Sequence, residues 1–309
     1  MKKMFILASI ALVGAACSKS DDNGGNNQVV NRINNSTVSG NPFATEETTV
    51  YPTEKRGTDQ NYSQTTYTVE NNKVKAVVTE IYRNGQKIDG RTISTNITYN
   101  EKGLPSKLED VQGRETRKLE YTYNDKNQVK EITLTEGTDT EKQVHEYDVQ
   151  GRLSKITFTA TEDEPYTVTY EYPDENTVVE KDSRNENEKI TYTIEGGNLT
   201  KKVKEITNPQ GQVVRSETKT YKYDTSIKNP DASLERKLIS FDYFEEARYT
   251  PSNSKNAVTE IATTGNDNGH PLTSSTTTYT YEKNDKGYPT KKTKTIAGSS
   301  SSEVTTYTY

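Results

Sequence analysis

Few residues of this chain have the type and spacing that catalysis or metal binding requires. The chain has 309 residues, with two His, one Cys and no Trp. His145 has the residue type of a general base, because histidine titrates near neutral pH. It stands, however, at a position where other segments of the chain carry Tyr. We therefore interpret His145 as an aromatic structural residue and predict no catalytic residue.

The remaining polar clusters are weak candidates. His270 follows Gly265-Asn-Asp-Asn-Gly, which could contact a cation but has neither EF-hand spacing nor a second carboxylate nearby. Ser299 to Ser302 lack the pattern of a nucleophile elbow. A carboxylate pair of the glycosidase type stays open, since none stands out among 45 Asp and Glu residues. We predict no enzyme activity, no cofactor and no metal site.

Composition excludes several classes of protein. A single Cys excludes a disulfide scaffold and Cys-rich metal sites, and a formal net charge of -5 argues against an electrostatic nucleic-acid binder. Apolar residues make up only 29% of the chain, yet it contains 21 Tyr. Tyr, Thr, Val and Ile suit half-buried strands. The composition therefore predicts an all-β fold.

The single Cys has a specific neighbourhood. Lys2 and Lys3 precede an apolar stretch, Met4 to Val13, which is shorter than the roughly 20 residues that span a bilayer and is typical of a secretory signal. The sequence Gly14-Ala-Ala-Cys17 resembles the lipobox of bacterial lipoproteins, although Leu or Val is usual at the place of Gly14. The resemblance implies a signal peptide at 1–16 and lipidation of Cys17.

A polar segment follows the predicted lipidation site. Ser18-Lys-Ser-Asp-Asp22 resembles the acidic export signals of Bacteroidota surface lipoproteins, which implies an outer-membrane location facing the cell exterior. A merely polar linker is the alternative. We interpret residues 17–45 as a flexible tether with an r.m.s. span of about 30 Å. The remaining segment, 46–309, is then the folded domain.

A two-position aromatic slot recurs along this domain. Its two residues are two positions apart, so both face the same side of a strand. The slots follow one another after about 22 to 30 residues, with one step of 58 between Tyr223 and Tyr281, where we expect a degenerate unit near Tyr249. Fourteen of the 21 Tyr occupy slots: Tyr67, Tyr99, Tyr121, Tyr123, Tyr147, Tyr170, Tyr172, Tyr192, Tyr221, Tyr223, Tyr279, Tyr281, Tyr307 and Tyr309.

Most slots are followed by residues that favour a tight turn and then by an apolar residue at the start of the returning strand, which we call the return residue. Asn124-Asp-Lys-Asn127 and Asp148-Val-Gln-Gly151 contain the residues that adopt tight turns. The return residues, such as Val129 and Leu153, are expected at the turn exit or beside a bulge. Each unit therefore predicts one β-hairpin, and the units join as an antiparallel meander of about 16–18 strands. Because open sheets of more than about ten strands curl or split, we expect a curled sheet or open half-barrel.

The unit Glu146–Ile156 resembles a YD repeat, the unit of RHS-type proteins, which implies repeated β-hairpins. With the lipobox and the export-like signal, the chain resembles a YD-repeat (RHS-repeat-like) lipoprotein of the Bacteroidota. The segment 231–249 interrupts the period. Leu234, Leu238 and Phe241 have partly helical spacing, which predicts one short helical insertion near 232–246. It would cover an edge or end of the sheet, or contact a ligand.

Three functions are compatible with these features. The favoured one is a non-enzymatic surface lipoprotein, attached to the outer membrane by its lipid, whose tyrosines bind an extracellular glycan or protein, because Tyr offers rigid amphipathic contact area. The alternatives are a periplasm-facing structural or assembly lipoprotein and an extracellular polymer hydrolase. A transmembrane barrel is disfavoured, because strands such as 290–295 have no apolar face for lipid. The oligomeric state stays open.

Overall fold

The computed structural model describes residues 49–309, except 114, 162 and 246–248. The predicted signal peptide, Cys17 and the tether lie outside the described residues. The described chain is almost entirely strand. The strands are β1 (Thr53–Gly57), β2 (Tyr62–Glu70), β3 (Lys73–Arg83), β4 (Gln86–Lys87), β5 (Ile93–Tyr99), β6 (Pro105–Gln112), β7 (Glu115–Tyr123), β8 (Val129–Glu136), β9 (Asp139–Tyr147), β10 (Leu153–Ala160), β11 (Tyr166–Glu171), β12 (Thr177–Asp182), β13 (Glu188–Glu195), β14 (Asn198–Thr207), β15 (Val213–Lys228), β16 (Asn256–Asp267), β17 (His270–Pro271), β18 (Ser275–Lys283), β19 (Pro289–Ile296) and β20 (Ser302–Thr308).

Eighteen of these strands form one closed antiparallel barrel. Neighbours in sequence pair with each other, and β20 pairs back onto β1 with Thr308 opposite Thr53. The short strands β4 and β17 extend the tips of two hairpins. The predicted all-β antiparallel meander is confirmed, whereas the expected curled sheet or open half-barrel is wrong. Closure removes both edge strands, whose unpaired N–H and C=O groups an open sheet would expose.

Several turns, among them those predicted at Asn124 and Asp148, form by one repeated mechanism. In five turns an Asn or Asp side chain accepts hydrogen bonds from the backbone N–H groups two and four residues later, at 2.8–3.1 Å. These residues are Asn100, Asn124, Asp148, Asn208 and Asn284. Gly151 completes the Asp148 turn with a φ of 83°, in the left-handed region that favours glycine. The register shifts directly after this turn, between Leu153 and Lys155, so the predicted bulge is confirmed.

The alternation of side chains gives the barrel two different faces. On the outer face, Lys142 pairs with Glu131 at 3.0 Å and Lys189 pairs with Glu205 at 2.9 Å. On the inner face lie the aromatic slots and most of the buried aliphatic residues. A lipid-facing barrel needs an apolar band on its outside. The charged outer face of this barrel instead suits contact with water.

One insertion, residues 229–255, connects β15 to β16 and enters the barrel. It contains α1 (Leu234–Leu238), α2 (Asp242–Glu245) and a 3-10 turn, Pro251–Asn253. The predicted helical insertion is confirmed, but the expected repeat unit near Tyr249 is wrong, because Tyr249 belongs to this insertion. Within the described part of the chain, no helix has the length and apolar character that a membrane crossing demands.

Two apolar clusters hold the insertion against the wall. Barrels of 16–18 strands are too wide for their wall side chains to fill, so the insertion supplies the missing apolar volume. Leu238 and Phe241 pack on inward residues of β3–β8, among them Leu119. Tyr249 packs on β10–β15, with its ring centroid 5.0 Å from that of Tyr192. Neither cluster, among the described residues, includes a residue of β18–β20.

Candidate functional site: the barrel lumen

The two ends of the barrel differ. At the insertion end, β15 stops, the insertion enters and β16 begins. The chain ends lie there too, because the start of β1 pairs with the end of β20. At the opposite end, which we call the mouth, the connections are only two to five residues long. These short loops leave the mouth open, whereas the insertion fills the other end.

A cavity of about 690 Å³ lies in the lumen between the insertion and the mouth. Its volume is in the range of about 300–1,000 Å³ that small-ligand sites occupy. The insertion forms one side of it. A second part of the lining, which we call the cavity wall, is the inner face of β18, β19, β20 and β1, with these residues lining the space: Arg56, Tyr279, Lys292, Lys294, Glu303 and Tyr307. Inward residues of β2, β3, β5, β6, β7, β9 and β10 form the rest of the lining.

Several charged groups at the cavity are paired with each other. Arg56 Nε donates a hydrogen bond to Glu303 Oε1 at 2.7 Å. Burial, the largest single cause, favours a raised pKa of Glu303, but the hydrogen bond from Arg56 and the positive charges of Arg56, Lys294 and Lys292 together lower this pKa. Arg236 of α1 is buried and pairs with Glu54 of β1 and, at 3.2 Å, with Asp231. Its charge therefore joins the insertion to the wall.

The tyrosine slots face inward, and the described slot tyrosines are buried or half-buried. In six slots the tyrosine at the second position donates a hydrogen bond from its hydroxyl to a backbone carbonyl of the neighbouring strand, at 2.6–2.9 Å. This carbonyl belongs to the residue just before the bulge of that strand. These pairs are Tyr99 with Val74, Tyr123 with Pro105, Tyr147 with Val129, Tyr172 with Leu153, Tyr223 with Leu199 and Tyr281 with Val258. A bulge disrupts the ladder locally, so the hydroxyls stabilise the hairpins.

The predicted aromatic contact surface therefore does not lie on the outside of the sheet. Most slot tyrosines pack on one another, on the wall or on the insertion. Four of them line the cavity: Tyr67, Tyr147, Tyr279 and Tyr307. These four tyrosines and the slot residue His145 are the predicted residues that line this cavity.

The other sequence candidates are scattered. His145 is buried opposite Ile156, with Nε2 3.3 Å from Gln143 Oε1, as an aromatic slot residue should be. His270 lies exposed at a hairpin tip and Ser299 in the loop before β20, both at the mouth. Between residues 49 and 309, the described side chains include no group of three or more His, Cys, Asp and Glu that could hold a metal ion.

Lys292 and Lys294 were missed from the sequence. They lie in Thr290-Lys-Lys-Thr-Lys-Thr295, which contains alternating Lys and Thr and no aliphatic residue. The register pairs Lys292 with Tyr281 and Lys294 with Tyr279, so both lysines face inward with the slot. Pairing the slot tyrosines of β18 with the residues opposite them on β19 could have identified both lysines as inward-facing.

No protein-family model matches this chain, and no curated protein matches it. Among solved structures, a porin-like protein from Bacteroides uniformis ATCC 8492 is 16% identical, with a TM-score of 0.42 over 85% of this chain and 99% of that one. A porin-like protein from Bacteroides vulgatus ATCC 8482 is 13% identical, with a TM-score of 0.36 over 84% and 98%. A chain of the TcdB2-TccC3-Cdc42 structure is 15% identical, with a TM-score of 0.33 over 80% of this chain and 12% of that one. At these TM-scores the similarities support no conclusion about function.

Proposed function

We propose that this protein is a non-enzymatic, lipid-anchored binding protein of the outer membrane whose lumen holds an extracellular saccharide. The observation that supports this most directly is the cavity of about 690 Å³ left between the insertion and the mouth. Such a space suits a small ligand, whereas a folded protein partner needs about 800 Å² of contact surface on each side. The Tyr rings of the cavity wall offer flat, amphipathic contacts to a sugar ring.

The position of the chain ends supports an orientation. Thr49, the first described residue, precedes β1 at the insertion end. A tether that leads from Cys17 to Thr49 would enter at that end, which favours an arrangement with the mouth directed away from the membrane. With a tether span of about 30 Å, the lumen stands clear of the lipid surface and is open to extracellular ligands.

Blocking the lumen tests the binding site. Ser63 lines the cavity, and the next residue on β2, Gln64, faces outward. Isothermal titration of the purified protein against a panel of neutral and acidic oligosaccharides should identify a ligand. Ser63→Trp should then weaken its binding at least about tenfold, while Gln64→Trp binds as the unchanged protein does. Thermal unfolding checks that both variants fold. Equal binding by the two variants, or no ligand in the panel, would contradict the proposal.

The anchor and its direction need a separate experiment. Cys17→Ser should release the protein from the membrane fraction, and retention would count against lipidation. Protease added to intact cells should degrade the unchanged protein. Protection from protease would instead favour the periplasm-facing structural or assembly lipoprotein.

The absence of catalysis is part of the proposal. A saccharide that binds should return intact by chromatography after long incubation with the protein. Shortened products would favour an extracellular polymer hydrolase.

A further inference from the structure

Two positions of the cavity wall carry lysine where five or more other hairpins carry an apolar residue. In five hairpins the residue opposite the first slot position is aliphatic: Val77, Leu108, Ile132, Ile156 and Ile261. Lys294 occupies this position opposite Tyr279. Opposite the second slot position, other hairpins carry Val74, Pro105, Val129, Leu153, Leu199 and Val258. Lys292 occupies it opposite Tyr281.

Another inward lysine, Lys202, lies among different charges. Lys202 also faces a first slot, that of Tyr192. There a carboxylate is close by, because Glu180 lies on the neighbouring strand β12, opposite Ile190, and accepts a hydrogen bond from the Tyr192 hydroxyl at 3.2 Å. The neighbouring charges of Lys202 and Glu180 therefore balance within the barrel.

The two carboxylates near Lys292 and Lys294, Glu303 and Asp231, are shared with arginines, although both still favour the charged form of Lys292. Glu303, opposite Lys294 on β20, forms its ion pair with Arg56 at 2.7 Å. Asp231 pairs with Arg236 at 3.2 Å. Burial lowers the pKa of Lys292, so its surroundings disfavour the charge.

We propose that Lys292 and Lys294 form an anion-binding subsite of the lumen and that the ligand is an acidic saccharide. This inference rests on the proposed function and specifies its ligand class. The two lysines are two residues apart on one strand face, so their Cα atoms are separated by about 6.6 Å. They bind carboxylate or sulfate groups of the saccharide, while Tyr279 and Tyr307 contact the sugar rings. Both tyrosines line the cavity with the lysines.

Calorimetric titration of the protein, purified from cells that express the full-length sequence, tests this subsite. The probes are trigalacturonate, which carries carboxylates, a heparin-derived disaccharide, which carries sulfates, and neutral maltotriose. Lys292→Gln and Lys294→Gln should each weaken binding of the acidic probe at least about tenfold, since a hydrogen bond to a charged group is worth about 1.5–3 kcal/mol. Lys291→Gln is the matched control, because Lys291 lies on the same strand, faces outward and pairs with Glu282 at 3.0 Å.

The outcomes separate this inference from the proposed function. Acidic binding that the Lys292 and Lys294 variants weaken and Lys291→Gln leaves within about twofold supports the subsite, and the better acidic probe identifies the anion. Equal loss in all three variants, or none in any, overturns it. Tight binding of maltotriose with no binding of either acidic probe also overturns it, yet leaves the proposed saccharide site standing. Binding of no probe rejects both. Circular dichroism of each variant confirms that lost binding does not reflect lost folding.

Discussion

The wall formed by β3–β8 and the cavity wall of β18–β20 and β1 are built from the same hairpin, yet they face the lumen with different side chains. On β6, β7 and β8 the inward residues include Leu108, Leu119 and Ile132, all fully buried. On β19 the corresponding inward residues are Lys292 and Lys294. The insertion packs on the aliphatic residues of the first wall, and the cavity extends over the second wall and over the part of the first wall at Thr95, Asp110 and Arg117.

The charged groups of the two walls also differ in how far the insertion covers them. On the packed wall, Arg117 donates to Asp110 at 2.9 Å, and its guanidinium lies 4.4 Å from the centre of the Phe241 ring. The insertion thus covers a satisfied ion pair. On the cavity wall, the insertion covers neither Lys292 nor Lys294 completely. The two walls therefore differ in the side chains that they present to the insertion and to the cavity.

The largest effect should come from making the packed wall resemble the cavity wall. Ile132→Lys places an ammonium group in the cluster that holds the insertion. Burying an unpaired charge is strongly unfavourable, so we expect a loss of more than about 4 kcal/mol, beyond the usual range of single substitutions. Urea unfolding measures it. Ile132→Val, the control, should lose only about 0.5–1.5 kcal/mol, and similar losses in both variants would mean that this wall tolerates charge.

The insertion already buries one carboxyl group, that of Glu235 in α1, which is only 2% exposed. Burial raises its pKa to about 7 from about 4.5, with Tyr51, Tyr99 and Lys73 facing it. Because the folded protein holds this proton more tightly, the contribution of Glu235 to stability is fully present below pH 4.5 and is lost as the pH rises through 7. Glu235→Gln removes this dependence.

Unfolding in urea at pH 5 and pH 8 checks the Glu235 prediction. At pH 8 the Gln variant should be more stable than the unchanged protein by on the order of 3 kcal/mol, and at pH 5 the difference should be much smaller. Asp242→Asn is the control, because Asp242 is exposed in the same insertion, and its pH profile should follow the unchanged protein. Parallel profiles for the Gln variant would show that Glu235 is not held protonated.

Local sequence patterns predicted the hairpins well. Barrel closure and the cavity depend on contacts between residues far apart in the chain, so local patterns did not predict them. The slot of Tyr147, the Asp148 turn and the bulge at Leu153 follow from alternation and turn chemistry within one unit. Closure depends on pairing Thr53 with Thr308, which no local pattern specifies. The candidate site was equally hidden, since it exists only because the insertion packs on one side of a wide lumen.

A slot hydroxyl should have a smaller effect than the two core substitutions. Tyr147 donates to the Val129 carbonyl at 2.7 Å. Tyr147→Phe removes one hydrogen bond at a bulge and should lower the free energy of unfolding by about 1 kcal/mol. Tyr62→Phe is the control, because Tyr62 stacks on Tyr82 on the outer face and should change stability little. Equal effects of the two changes would mean that the bulge carbonyls do not need the tyrosines.

The smallest effect should come from making the cavity wall resemble the packed wall. Lys294→Ile installs the residue found opposite the slots of Tyr121 and His145. If the lysine serves binding and not folding, the variant should be as stable as the unchanged protein, or more stable by up to about 1 kcal/mol, because a half-buried charge gives way to apolar surface. Urea unfolding measures this change.

The same substitution on the outer face distinguishes a site effect from a gain in β-propensity. Lys189 faces outward on β13, and Lys189→Ile should gain strand propensity without filling the lumen. A loss of more than about 1 kcal/mol in Lys294→Ile alone would show that Lys294 stabilises the barrel through its charge. The two walls would then differ in how they are held together and not in what they do. Retained stability with lost binding would instead place the function of the barrel on the wall that the insertion leaves uncovered.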